Sequence, residues 1–220
     1  MPSVIKLYKH VTPGTYSGLS CIVFVRQFSD QNVTASIFSG DLSLEASSAF
    51  ANEAILEPLD GSLITSSIST VDRISEHRNV VAGTSGLAIR VTDLACRAIW
   101  LGYNQMFQVR EHKIINSIAP HSVFAEVQKS GQSEADERWK LIQTRWLSAR
   151  HVPDVVNWEL EENDFVLACS PYISYTSMLH CVETYAPSEV ARILTEQAAS
   201  KNTRMMHGSF VIHLVGCSQT

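Results

Sequence analysis

Residues 20–38, SCIVFVRQFSDQNVTASIF, set two runs of β-branched and aromatic residues on either side of the short turn Ser29-Asp30-Gln31-Asn32. So short a connection joins only antiparallel strands, because a parallel crossover needs a dozen residues or more. The same texture returns over residues 80–118, where Thr92-Asp93 and Gly102-Tyr103-Asn104 break an alternating apolar stretch. That pattern predicts an antiparallel meander of three or four strands. Further strands are expected at Val4 to Tyr8 and at residues 208–217, and the stretch WELEEND predicts a hairpin between Val155 to Leu160 and Asp164 to Cys169.

Helical spacing supplies the rest. Leu42, Ala46, Ala49, Phe50, Ala54 and Leu56 recur at helical intervals until Pro58, and Leu63, Ile64, Ile68, Val71 and Ile74 do so between Gly61 and His77. Pro120 opens a short helix through Val127, and Ser133 caps another from Glu134 to about Leu147 with Trp139, Leu141, Ile142 and Trp146 on its buried side. Two more follow, Tyr175 to Tyr185 and Pro187 to Ala199. No repeat or linker interrupts this order, so the chain reads as a single domain, residues 1–220, of the α+β class: two stacked antiparallel β-sheets flanked by α-helices.

Composition narrows the function classes. With 45% hydrophobic residues in 220, the chain can bury one sizeable core. Its formal charge of −5, from 17 basic and 22 acidic side chains, leaves no electrostatic footprint for nucleic acid. No stretch approaches the ~20 apolar residues that cross a bilayer, so no membrane partner is expected. Five widely spaced cysteines in apolar runs read as buried free thiols, which points to a reducing compartment, intracellular and cytoplasmic. No CxxC, HxxxH or HExxH occurs, so no zinc site is expected.

The order and wording of four stretches resemble the metal-dependent serine/threonine phosphatases of type 2C, the PPM family. AGTSGLAIRV (82–91) is similar to that family's Gly-Thr-Thr strand opening, and CRAIWLGYNQMFQVREHKI (96–114) to its strand reading Asn-Val-Gly-Asp-Ser-Arg. TRWLSARHVPDVVNWELEENDFVLACSPYIS (144–174) resembles the stretch ending in Ser-Asp-Gly, and residues 189–215 resemble the closing helix, the Asp-Asn loop and the last strand. The resemblance implies a type 2C α-β-β-α sandwich. It also implies where metal-holding aspartates should stand, and there this chain departs from the pattern.

Ser39, Gly40, Asp41 and Leu42 match the family's Asp-Gly-His-Gly, so serine replaces the first aspartate. Ser170 and Pro171 stand for the Asp-Gly of the second, and His207 and Gly208 for the Asp-Asn of the third. Phosphate monoester hydrolysis requires a barrier reduction well above ~8 kcal/mol. A two-metal site supplies it through charged oxygen ligands that hold the ions ~3.5 to 4 Å apart. Losing three anions from one pocket leaves little to offset repulsion between two dications.

The expectation is therefore no catalytic residue, no metal ligand and no cofactor: a pseudophosphatase that works by binding a protein partner, as scaffold, assembly component or regulator. The alternative is an active Mn/Mg-dependent phosphatase with other ligands, for example Asp30, Asp41 and Asp164. Trp139, Trp146, Met205 and Met206 are candidate partner contacts, each with a competing reading as core or pocket filler. Cys169, inside the apolar run FVLAC, reads as a small core residue rather than a nucleophile.

Overall fold

The computed structural model describes residues 4–12, 20–40, 85–131, 142–146, 151–201, 203 and 205–216. Among these residues ten strands form two five-stranded antiparallel sheets. They are β1 (Val4–Thr12), β2 (Ser20–Ser29), β3 (Asn32–Gly40), β4 (Ser85–Thr92), β5 (Ala95–Leu101), β6 (Gln105–Arg110), β7 (Lys113–Ser117), β8 (Asp154–Glu159), β9 (Phe165–Cys169) and β10 (His207–Val215). One sheet runs β1-β10-β9-β6-β7 and the other β2-β3-β4-β5-β8. Three helices are described: α1 (Val123–Lys129), α2 (Tyr175–Thr184) and α3 (Pro187–Lys201).

Pleating assigns each strand's side chains to alternate layers. Met106, Val166, Ala168, Phe210 and Ile212 face inward from the first sheet and meet Val33, Ile37, Leu87, Ile89 and Trp100 of the second, forming the central core. The opposite face of the first sheet carries Phe107, Val109, Phe165, Leu167 and Val211, which pack under Met178, Val182, Val190, Ala191 and Leu194 of α2 and α3. Both faces of β9 are thus covered, which accounts for its unbroken apolar run.

The expected stacked sheets and the hairpin at 20–38 are present, with Val33 to Phe38 inside β3. Two local expectations are corrected. The meander over 80–118 is divided: β4 and β5 pair in one sheet, while β6 and β7 pair in the other. Likewise β8 pairs with β5 and β9 with β6 and β10, so residues 160–164 cross between sheets instead of closing a hairpin. Chain proximity favours local pairing, but burial of both apolar faces of β9 requires a central place in its sheet.

The helix expected through Leu147 is also not seen over 142–146. Val123 N–H donates to Ile142 O at 2.9 Å, and Thr144 N–H to His121 O at 3.0 Å, so this segment lies beside residues 121–123. Ile142 is exposed and Trp146 half-buried, edge-on to the His151 ring. The helices expected over 41–58 and 61–77 and most of that at 134–147, including Trp139, lie outside the described residues.

Candidate functional site

Strand pairing brings the described substituted positions, Ser39, Gly40, Ser170, Pro171, His207 and Gly208, to one end of the sandwich. Ser39 is paired with Cys21 on one side and Ser85 on the other, near the ends of β3, β2 and β4. The tail of β9 lies between the start of β6 and the start of β10, since Cys169 is paired with both Gln105 and Ser209. Thr12, closing β1, is paired with His207. Positions far apart in sequence therefore meet because antiparallel strands of similar length begin and end together.

Hydrogen bonds knit this end together. Ser39 Oγ donates to Asn104 Oδ1, and Asn104 Nδ2 donates to Ile37 O at 2.9 Å. Ser170 N–H donates to Gly208 O at 2.9 Å, while Gly208 N–H reaches back to Ser170 Oγ at 3.5 Å. Thr12 Oγ1 donates to His207 O at 3.3 Å. Gln105 Nε2 holds the turn after β9, donating to Ile173 O at 3.0 Å and Ser170 O at 3.4 Å.

An aromatic pair lies beside these groups. The Tyr103 and Tyr172 hydroxyls are 3.2 Å apart, and the Tyr172 ring stands edge-on to His207 at 6.2 Å. Burial pushes both phenols above their ordinary range; their mutual hydrogen bond lowers Tyr103 and raises Tyr172 further. Burial also pushes up the Cys21 and Cys169 thiols, so both stay protonated at neutral pH. The reading of Cys169 as a core residue agrees with its complete burial.

Close backbone approach governs two glycines here. Gly102 has φ +96°, and a Cβ there would overlap Ser85 Oγ, the atom that accepts Tyr103 N–H at 2.8 Å. A Cβ on Gly208 would lie 2.5 Å from Cys21 Sγ. Neither strand crossing could close so tightly around a larger residue.

Ser39, Ser85, Asn104, Ser170 and His207 are all buried. Of the substituted positions, the structure joins Ser170 with Gly208 and sets His207 against Tyr172; Pro171 is buried beside them. Gly40 closes β3, and Asp41 falls outside the described residues. Ser85, Tyr172 and Thr12 were not foreseen as site residues. Asn104 had a signal, because it stands in the stretch where the family pattern has aspartate.

The alternative ligands Asp30 and Asp164 lie at the wrong end. Asp30 precedes β3 and Asp164 precedes β9, and a five-residue strand alone spans ~17 Å. Asp164 is instead enclosed by Arg110 and Gln108, each donating at 2.8 Å. Met206, half-buried, packs against the central core, and Met205 is half-buried beside it in sequence.

The type 2C resemblance in the sequence implies two divalent ions, and the described donors do not fit them. Among the described residues Ser39, Asn104, Ser170 and His207 offer hydroxyls, an amide and an imidazole, and the carboxylate of Asp154 at the start of β8 is taken up by His121 at 2.9 Å and Arg145 at 3.0 Å, whereas manganese and magnesium favour charged oxygen ligands free to bind them. Among the described residues no cluster of three His, Cys, Asp or Glu could hold a metal ion. No helix among them is long and apolar enough to cross a membrane.

No protein-family model matches the sequence, and no curated protein is significantly similar to it. Solved structures are similar over nearly the whole chain. The catalytic domain of the serine/threonine protein phosphatase PstP in complex with two manganese ions has TM-score 0.78 and 17% identity, covering 97% of this chain and 100% of that one. PppA, a key regulatory component of T6SS in Pseudomonas aeruginosa, has TM-score 0.74 and 13% identity over 97% and 99%. Serine/threonine phosphatase Stp1 from Staphylococcus aureus has TM-score 0.76 and 13% identity over 99% and 98%.

These neighbours overturn the expectation that the chain is not an enzyme. The whole fold is shared with a phosphatase catalytic domain, and three substituted aspartates are an insufficient reason to deny activity while Asp41, directly after Gly40, lies outside the described residues. The chain has the fold of the type 2C metal-dependent serine/threonine phosphatases.

Proposed function

We propose that this chain acts on serine- or threonine-phosphorylated protein as an atypical member of the type 2C phosphatases. The observation that carries the reading is the likeness to the PstP catalytic domain over 97% of the chain, including both five-stranded sheets. A regulatory role exercised through a protein partner is supported by the likeness to PppA, itself described as a regulatory component.

The described pocket residues contribute order rather than charge. Ser39, Asn104, Ser170 and Gly208 hold the strand ends, and the Tyr103–Tyr172 pair limits water beside them. The described residues do not supply the carboxylates that divalent ions would need, and Asp41, directly after Gly40 in the sequence, is the candidate for one of them.

The test is release of phosphate from a phosphothreonine peptide and from an aryl phosphate, with and without manganese. Manganese-dependent turnover that Asp41→Ala abolishes is expected. No release above background from either substrate, with a folded sample, would sink the reading.

A further inference from the structure

An open groove of about 750 Å3 runs beside the pocket on the outer side of the first sheet. Its floor is Phe107 of β6 and Ser117 of β7, which are register partners. One wall is α1, with Phe124 and Lys129; the other is Pro171 and Tyr175, at the turn that leaves β9 and enters α2. Tyr175 is 48% exposed while its ring lies 6.1 Å from that of the buried Phe107, so the wall, not the floor, presents an aromatic face to solvent. None of the residues of α1 is buried.

Size and charge constrain the occupant. Pockets of ~300 to 1,000 Å3 suit ligands of drug or short-peptide size. Among the described residues the lining holds one cation, Lys129, and no Asp or Glu, although the chain as a whole carries −5. Lys129 is exposed, closes the last turn of α1, and makes no ion pair among the described residues. An apolar trough with a lone positive charge at one wall complements a segment bearing an apolar or aromatic side chain next to an acidic one.

We propose that this groove seats an extended acidic-aromatic peptide segment of the protein partner, the aromatic side chain over Phe107 and Tyr175 and the acid toward Lys129. The proposal rests on the reading that the chain acts on phosphoproteins, and it specifies which flanking sequence is chosen. Pro171 belongs to both the groove wall and the turn that carries Ser170, so a segment held there extends toward the pocket.

The test is fluorescence anisotropy of the full chain with two unphosphorylated labelled peptides, Glu-Glu-Phe-Pro-Leu and Lys-Lys-Phe-Pro-Leu. Tighter binding of the acidic peptide is expected, weakened by about fivefold in Lys129→Glu, the scale of one exposed charge contact, and lost when Ser117→Trp fills the floor. Both positions are exposed, so the variants should fold, which circular dichroism checks. Equal affinity for the two peptides, or indifference to both substitutions, would overturn the proposal. The readout needs no phosphate and no turnover, so its failure is separate from a failure of the phosphatase assay.

Discussion

Asp164 shows how one residue can be fixed at the end of the sandwich opposite the pocket. Its carboxylate has no exposed surface and accepts from Arg110 Nε and Nη2 and Gln108 Nε2, each at 2.8 Å, and from Glu161 N–H at 2.9 Å. Burial would raise its pKa, but the bonds from Arg110, Glu161 and Gln108 bring it below the ordinary 3.8. Asp164→Asn should destabilise by about 2 to 3 kcal/mol at neutral pH, less than the ~3 to 5 of a fully buried pair, because Arg110 remains partly hydrated. Urea denaturation checks this, and an unchanged midpoint would refute it. Gly208 offers a second residue-scale test. Gly208→Ala should cost ~1 to 3 kcal/mol by overpacking against Cys21 and Val23. Adding Cys21→Ala should recover part of that loss in a double-mutant cycle, since the clash is with Cys21 Sγ. Neither residue's role was legible beforehand: Asp164 read as a possible ligand, and Gly208 as one more substituted position. Their partners lie far away in sequence, and only strand pairing brings them close.

Elements were more legible, because their signals are local. The helical spacing over 175–199 corresponds to α2 and α3, whose apolar sides cover one sheet through Met178, Val182, Val190 and Leu194. Ser174 caps α2 by accepting Ser177 N–H at 3.2 Å, and Ser122 caps α1 by accepting Ala125 N–H at 3.2 Å. Leu194→Ala should cost ~2 to 5 kcal/mol, since the side chain is wholly buried between α3 and the sheet. Thermal unfolding of the variant measures this; a loss below ~1 kcal/mol would mean that α3 is not docked as described. Pairing partners were less legible. Short turns suggested that β8 and β9 form a hairpin, whereas each found its partners in a different sheet. A turn signal states that the chain reverses, not which layer it enters.

Across the whole molecule, four titrating groups push stability in the same direction on acidification. Burial lowers His121, and Arg145 nearby adds to that, against the opposing bond to Asp154 at 2.9 Å; burial and Lys6 lower His213. A histidine with a depressed folded-state pKa binds its proton more readily when unfolded. Its contribution is therefore intact above the unfolded value of 6.5 and declines as pH falls below it. Asp154 and Asp164, both held below 3.8, add a second decline as pH drops below that value, when their ion pairs are lost. Melting temperature followed from pH 7.5 to 3 should fall in two stages, and His121→Gln should flatten the upper one. A single transition confined to pH below 4 would contradict the role given to the histidines. Sequence alone determined the α+β class, the antiparallel character of the strands and the places of α2 and α3, because periodicity, turn length and residue chemistry are local properties. Tertiary structure alone decided which strands share a sheet, that Asp30 and Asp164 lie away from the pocket, and that an aromatic groove opens beside Pro171. Those outcomes depend on contacts between residues distant in the chain, and what selects them is the burial of apolar faces between the two sheets and beneath α2 and α3.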